Sequence, residues 1–113
     1  MKPRFAHSAA LPGFETPAAF LRPFAGEALM LVRAEAKAGS ALPAHAHPHE
    51  QITLVFSGRM RLRLGTEWLE LGPGDIAYVP PNLEHEALFL EDTVAFDAFH
   101  PLREDFLAKL ASS

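Results

Sequence analysis

Ala44-His45-Ala46-His47-Pro48-His49-Glu50-Gln51 gathers three of the six histidines of this 113-residue chain within five positions. In an extended strand, side chains two apart leave the same face, so His45 and His47 can aim neighbouring imidazoles at one point. Pro48 then breaks the strand and Gln51 opens the next, which brings its side-chain oxygen within reach of that point if the chain turns back. A further imidazole, His85, follows the turn Pro80-Pro81-Asn82. The sequence has no cysteine, which excludes thiolate ligands, disulfides and CxxC redox chemistry and leaves any metal to nitrogen and oxygen donors.

Outward from this stretch the chain reads as short strands. Arg59-Met60-Arg61-Leu62-Arg63-Leu64 alternates charged and apolar residues between Gly58 and Gly65, so one face packs while the arginine row is solvated. Ala28 to Glu35, Gln51 to Phe56, Trp68 to Leu71, Ile76 to Val79, Glu86 to Leu90 and Val94 to Phe99 are further strands, with Trp68 expected in the core or an interface. Ten prolines and seven glycines fall between the segments, and Gly72-Pro73-Gly74-Asp75 and Pro80-Pro81-Asn82 mark strand ends. The pattern is all-β, a sandwich or barrel. Leu102, Phe106, Leu107 and Leu110 recur instead at helical spacing, with Asp105 four residues before Lys109, predicting a short C-terminal helix after Pro101. Residues 1–26 are weakly patterned and are expected to form a loosely packed arm, leaving 27–113 as a single domain.

The charge balance narrows the partners. Ten Lys and Arg against 14 Asp and Glu give a formal charge of −4, which supplies no basic surface for nucleic acid. No apolar run approaches the ~20 residues of a membrane span, and Phe5 to Leu11 is too broken for a signal-peptide core, so a cytoplasmic protein is expected.

Gly39-x5-His45-x-His47-x3-Gln51-x6-Gly58 resembles the first cupin motif, and Gly74-x5-Pro80-x-Asn82-x2-His85 resembles the second, 15 residues further on. The resemblance implies a double-stranded β-helix, a jelly-roll barrel binding one divalent transition metal (Ni, Zn, Mn, Fe or Co) through His45, His47, Gln51 and His85. Three departures stand out: Gln51 replaces the usual Glu, Asn82 the usual Gly, and Phe89 the usual closing Asn. A one-residue shift of register would offer Glu50 in place of Gln51. Three imidazoles and an amide are neutral, so the metal would keep its full charge, favour an anionic substrate and retain two open positions. His49 reads as a turn residue, His7 as solvated, and His100 as a helix-entry residue near the pocket.

Asp97 sits among Phe96, Ala98 and Phe99, where a lone buried carboxylate costs several kcal/mol unless paired. It shares a strand face with Phe99, and Arg103 in the first helical turn is placed to swing back towards it. One reading is an Asp97–Arg103 ion pair that pins the helix. The other comes from resemblance: from about Glu27 to Leu107 the chain is similar to the small pectin-degradation cupins that linearise 4,5-unsaturated monouronates, where positions matching Asp97, Phe99 and Arg103 line the substrate cavity. That resemblance implies a metal-dependent lyase- or isomerase-type enzyme acting on a small anionic sugar acid from pectin or alginate. A metal-dependent dioxygenase and a non-catalytic sugar-binding cupin remain alternatives. A homodimer is expected, because strand 51–56 is apolar on both faces.

Overall fold

Turns set the strand boundaries. At Gly72-Pro73-Gly74-Asp75 the Gly72 amide donates to Asp75 Oδ2 at 2.8 Å, closing the turn between β7 (Glu67–Leu71) and β8 (Ile76–Val79). The computed structural model describes residues 2–113. Ahead of these lie β1 (Phe14–Glu15), β2 (Phe20–Ala25), β3 (Met30–Ala36), β4 (Ala41–His45), β5 (Glu50–Ser57) and β6 (Met60–Leu64). Behind them come β9 (His85–Phe89), β10 (Thr93–His100) and α1 (Glu104–Ala111). All pairings are antiparallel. One sheet has six strands in the order β1-β2-β3-β10-β5-β8, the other four in the order β4-β9-β6-β7.

Period-two alternation places the core between the sheets. Ala34, Ala36 and Val55 from the larger sheet pack with Met60, Leu62, Leu71, Ala87 and Phe89 from the smaller. A second cluster of Met30, Val32 and Phe99 takes Leu102, Phe106 and Leu107 against it and so docks α1. Burying each such large side chain contributes about 1.5–3 kcal/mol. Gly58 takes φ +87°, and a Cβ there would lie 2.3 Å from the Asp92 carbonyl oxygen, so only glycine fits the β5–β6 turn.

Several sequence expectations are corrected here. The segment expected to be a loose arm contributes β1 and β2, with Phe14, Ala18 and Ala19 buried. Pro23 is tolerated within β2 because β1 pairs only with Phe20 and Leu21, leaving the later part of β2 an edge on that side. The helix begins at Glu104, so Arg103 precedes its first turn rather than sitting in it. Of the two places expected for Trp68 the core is excluded, because the residue is 51% exposed on β7. The arginine row is surface, as its alternation implies, with Arg63 paired to Glu84 and Glu86 at 2.9 Å each.

Candidate functional site

The β4–β9 register sets His45 opposite His85. His47 lies two residues past the end of β4, where its carbonyl accepts the Asn82 amide at 2.8 Å. Asn82 holds φ 65°, a left-handed conformation that asparagine tolerates better than most residues, which explains how it replaces glycine in the second motif. The three imidazoles therefore meet, with centroids 4.2 Å apart for His45–His85, 4.9 Å for His47–His85 and 5.5 Å for His45–His47. One ring nitrogen of each lies within 4.8 Å of the others.

Their hydrogen bonds fix the tautomers. Nδ1 of His45 contacts the Pro43 carbonyl at 3.0 Å, Nδ1 of His47 the His49 carbonyl at 3.2 Å, and Nδ1 of His85 the Leu83 carbonyl at 2.8 Å. A carbonyl only accepts, so each Nδ1 carries a proton, and in the neutral ring Nε2 then holds the lone pair, the arrangement of metal-binding imidazoles. His85, 1% exposed, has no hydrogen-bond partner for Nε2 among the described residues. Burial lowers its pKa and keeps it neutral.

Gln51 sharpens the case. Its Nε2 donates to Thr53 Oγ1 at 2.9 Å and to Asp97 Oδ1 at 3.3 Å, which turns Oε1 towards His47 Nε2, 3.0 Å away. With the His47 proton on Nδ1, two lone pairs face each other across that gap. A doubly protonated ring would relieve the conflict, but burial, followed by the Arg103 charge and the repulsion between protonated imidazoles, pushes the His47 pKa down to about 4. A cation beside both atoms removes the conflict, so this donor set fits a divalent metal held by His45, His47 and His85 with Gln51 Oε1 adjoining. Glu50 is on the opposite face of β5, exposed, and its Oε2 accepts from the Tyr78 hydroxyl at 2.7 Å, which removes the one-residue register shift.

A cavity of about 310 Å³ opens beside these groups, lined among others by His45, Gln51, His85, Asp97, Phe99 and Arg103. The β10–β5 register explains the grouping, for it sets Asp97 opposite Thr53 and Phe99 opposite Gln51. Asp97 Oδ1 accepts from Thr53 Oγ1 at 2.6 Å. Burial raises its pKa, outweighing the Thr53 and Gln51 donors and the Arg103 charge that pull it down, and Asp97 lines the cavity. The Asp97–Arg103 ion pair does not form. Arg103, 8% exposed, gives Nε to Asp105 Oδ1 at 3.0 Å and Nη2 to Asp105 Oδ2 at 2.8 Å. Asp105 therefore faces Arg103 rather than Lys109, whose Nζ lies 5.9 Å from the Phe14 ring centroid. His100 is exposed at the end of β10, and His7 is exposed too. Thr53 and Asp105 escaped the sequence reading. Alternation from Gln51 carried a signal for Thr53, whereas nothing local singled out Asp105.

The Cupin domain family model matches residues 32–97, more than half of the chain. The chain belongs to the cupin family. Its fold matches an RmlC-like cupin from Shewanella frigidimarina at 25% identity and TM-score 0.85, covering 93% of this cupin and 96% of that chain. KdgF from Halomonas sp. is similar at 29% identity and TM-score 0.85, with 92% of this chain and 98% of that one covered. Ectoine synthase from P. lautus, at 16% identity and TM-score 0.79, shares the fold, with 88% of this chain and 78% of that one covered. No curated protein matches the sequence. Among the described residues of this cupin, no helix is long and apolar enough to cross a membrane.

Proposed function

We propose that this cupin converts 4,5-unsaturated monouronates to their linear keto forms, with a divalent metal held by His45, His47, Gln51 and His85. What carries the reading is the meeting of the histidine trio, at a cavity that His45 and His85 line, with a carboxyl group whose pKa burial raises and a buried arginine. The sequence similarity to pectin-degradation cupins and the likeness to KdgF support the substrate class. Bound there, the metal would supply a Lewis acid for developing negative charge on oxygen.

The residues supply the rest. Arg103 binds the substrate carboxylate, and Phe99 packs against the sugar ring. Asp97 takes the proton of the anomeric hydroxyl; the aldehyde carbonyl forms as the ring C–O bond breaks, leaving an enolate. The same carboxyl returns that proton to carbon to give the ketone, so one acid/base group serves both steps and nothing is oxidised. Thr53 and Gln51, donating to Asp97 Oδ1, hold it in place and favour its ionised form.

The conjugated double bond absorbs in the ultraviolet and is lost on conversion. Metal-loaded protein should accelerate that loss. Decay at the uncatalysed rate with Ni, Zn, Mn, Fe and Co each tried would end the proposal, whereas oxygen uptake would point to a dioxygenase.

A further inference from the structure

A guanidinium presents five N–H groups in one plane. In Arg103, Asp105 takes the edge formed by Nε and one Nη2 hydrogen. Phe106 covers the plane with its ring centroid 3.9 Å from the guanidinium carbon, and Phe99 stands 4.9 Å away. The other edge, Nη1 and the second Nη2 hydrogen, has no hydrogen-bond acceptor among the described residues, and Arg103 lines the cavity. Asp105 is no passing partner: it is the second residue of α1, where a helix N-terminus favours a carboxylate, and the Arg103 hydrogen bonds hold its pKa below the usual range.

We infer that Asp105 is a positioning residue which, with Phe106, turns Arg103 into a fork with one open edge, so that the cavity selects a sugar carrying a single carboxylate. One edge matches two coplanar oxygens, and the Asp105 charge disfavours a second negative charge beside them, so a sugar phosphate dianion is a poor fit. The inference rests on the uronate reading and adds to it the residue that sets its anion selectivity. It also opposes a simpler possibility, in which Asp105 merely occupies Arg103 until substrate displaces it. The two differ in sign.

Galacturonate, galactose and galactose 6-phosphate differ only at C6 and probe the fork directly by calorimetry on metal-loaded protein. Wild type should prefer galacturonate over both others. Asp105→Ala should weaken galacturonate roughly tenfold, one charge-assisted contact's worth, with metal content and melting temperature kept. Asp105→Glu should restore part of the loss. In turnover the Ala variant should raise KM and leave kcat near wild type. Galacturonate binding that is unchanged or tighter in Asp105→Ala overturns the positioning role and leaves the uronate reading standing. Wild type with no preference for galacturonate over galactose overturns both together.

Discussion

Replacing Gln51 by Glu restores the residue usual in the cupin motif, and the structure gives that change opposite effects with and without metal. The Gln51 amide donates to Asp97 Oδ1 at 3.3 Å. A carboxylate in its place would set two negative charges about that far apart, worth about 5 kcal/mol of repulsion at an effective dielectric of ~20. The pair can escape by keeping one proton, but holding a carboxyl with an ordinary pKa near 4.3 protonated at pH 8 costs about 5 kcal/mol. The acid–carboxylate hydrogen bond so formed returns about 2–3 kcal/mol. The chelated variant should therefore be less stable than wild type by about 2–3 kcal/mol, some 10–20 °C in melting temperature. The sign with pH follows: a carboxyl raised in the folded state costs stability above its unfolded pKa, and that cost shrinks as pH falls towards 5. A metal among the imidazoles would set a positive charge beside the new carboxylate, so the same variant should hold metal more tightly. Thermal unfolding followed by circular dichroism at pH 8 and pH 5, with chelator and then with Zn, reads all three effects. A chelated Gln51→Glu protein melting within about 2 °C of wild type at pH 8 would show that residue 51 does not face Asp97, and the ligand geometry argued above would fail.

His47→Ala and His85→Ala should each lose most of one bound metal per chain by elemental analysis, since each removes an Nε2 that has no other use; full occupancy in both would refute the centre. Arg103→Lys keeps charge but loses the planar fork and should chiefly raise KM, whereas Asp97→Asn removes the proton acceptor and should chiefly lower kcat, both retaining metal. If Asp97→Asn turns over normally, Asp97 serves packing alone. Gly58→Ala should destabilise by at least ~2 kcal/mol in urea unfolding, because the new Cβ clashes with backbone while φ stays positive. Sedimentation should give a dimer mass: Ile52, Phe56, Ile76 and Tyr78 are exposed together on the outer face of the six-stranded sheet. A monomer at all concentrations contradicts it.

What was legible in the sequence was what period two and turn chemistry encode locally. Arg59 to Leu64 shows its buried and solvated faces without reference to the rest of the chain, and His45 and His47 share a side by the same rule. The choice between Glu50 and Gln51 is a matter of register, decided by the pairing of Gln51 with Phe99 across β5 and β10. β2 was hidden because Pro23 argues against a strand, and only its place at the margin of the sheet makes it acceptable. Lys109, four residues on, offers Asp105 a local partner that competes with Arg103. Burial of Arg103, a tertiary fact, settles the competition.

The proposed metal donors stand on β4, β5, β9 and the turn after β4, while the groups facing the proposed carboxylate are Arg103 and its neighbours at the end of β10 and in α1. These are separable modules. Exchanging the eight residues of α1 together with Arg103 would alter which small molecule is admitted and replace none of the proposed metal donors. A scaffold divided in this way can change its substrate in few mutational steps, because variation in one helix is not vetoed by the metal centre. The same division marks α1 as the segment to diversify when a library of new sugar-acid activities is wanted from this chain.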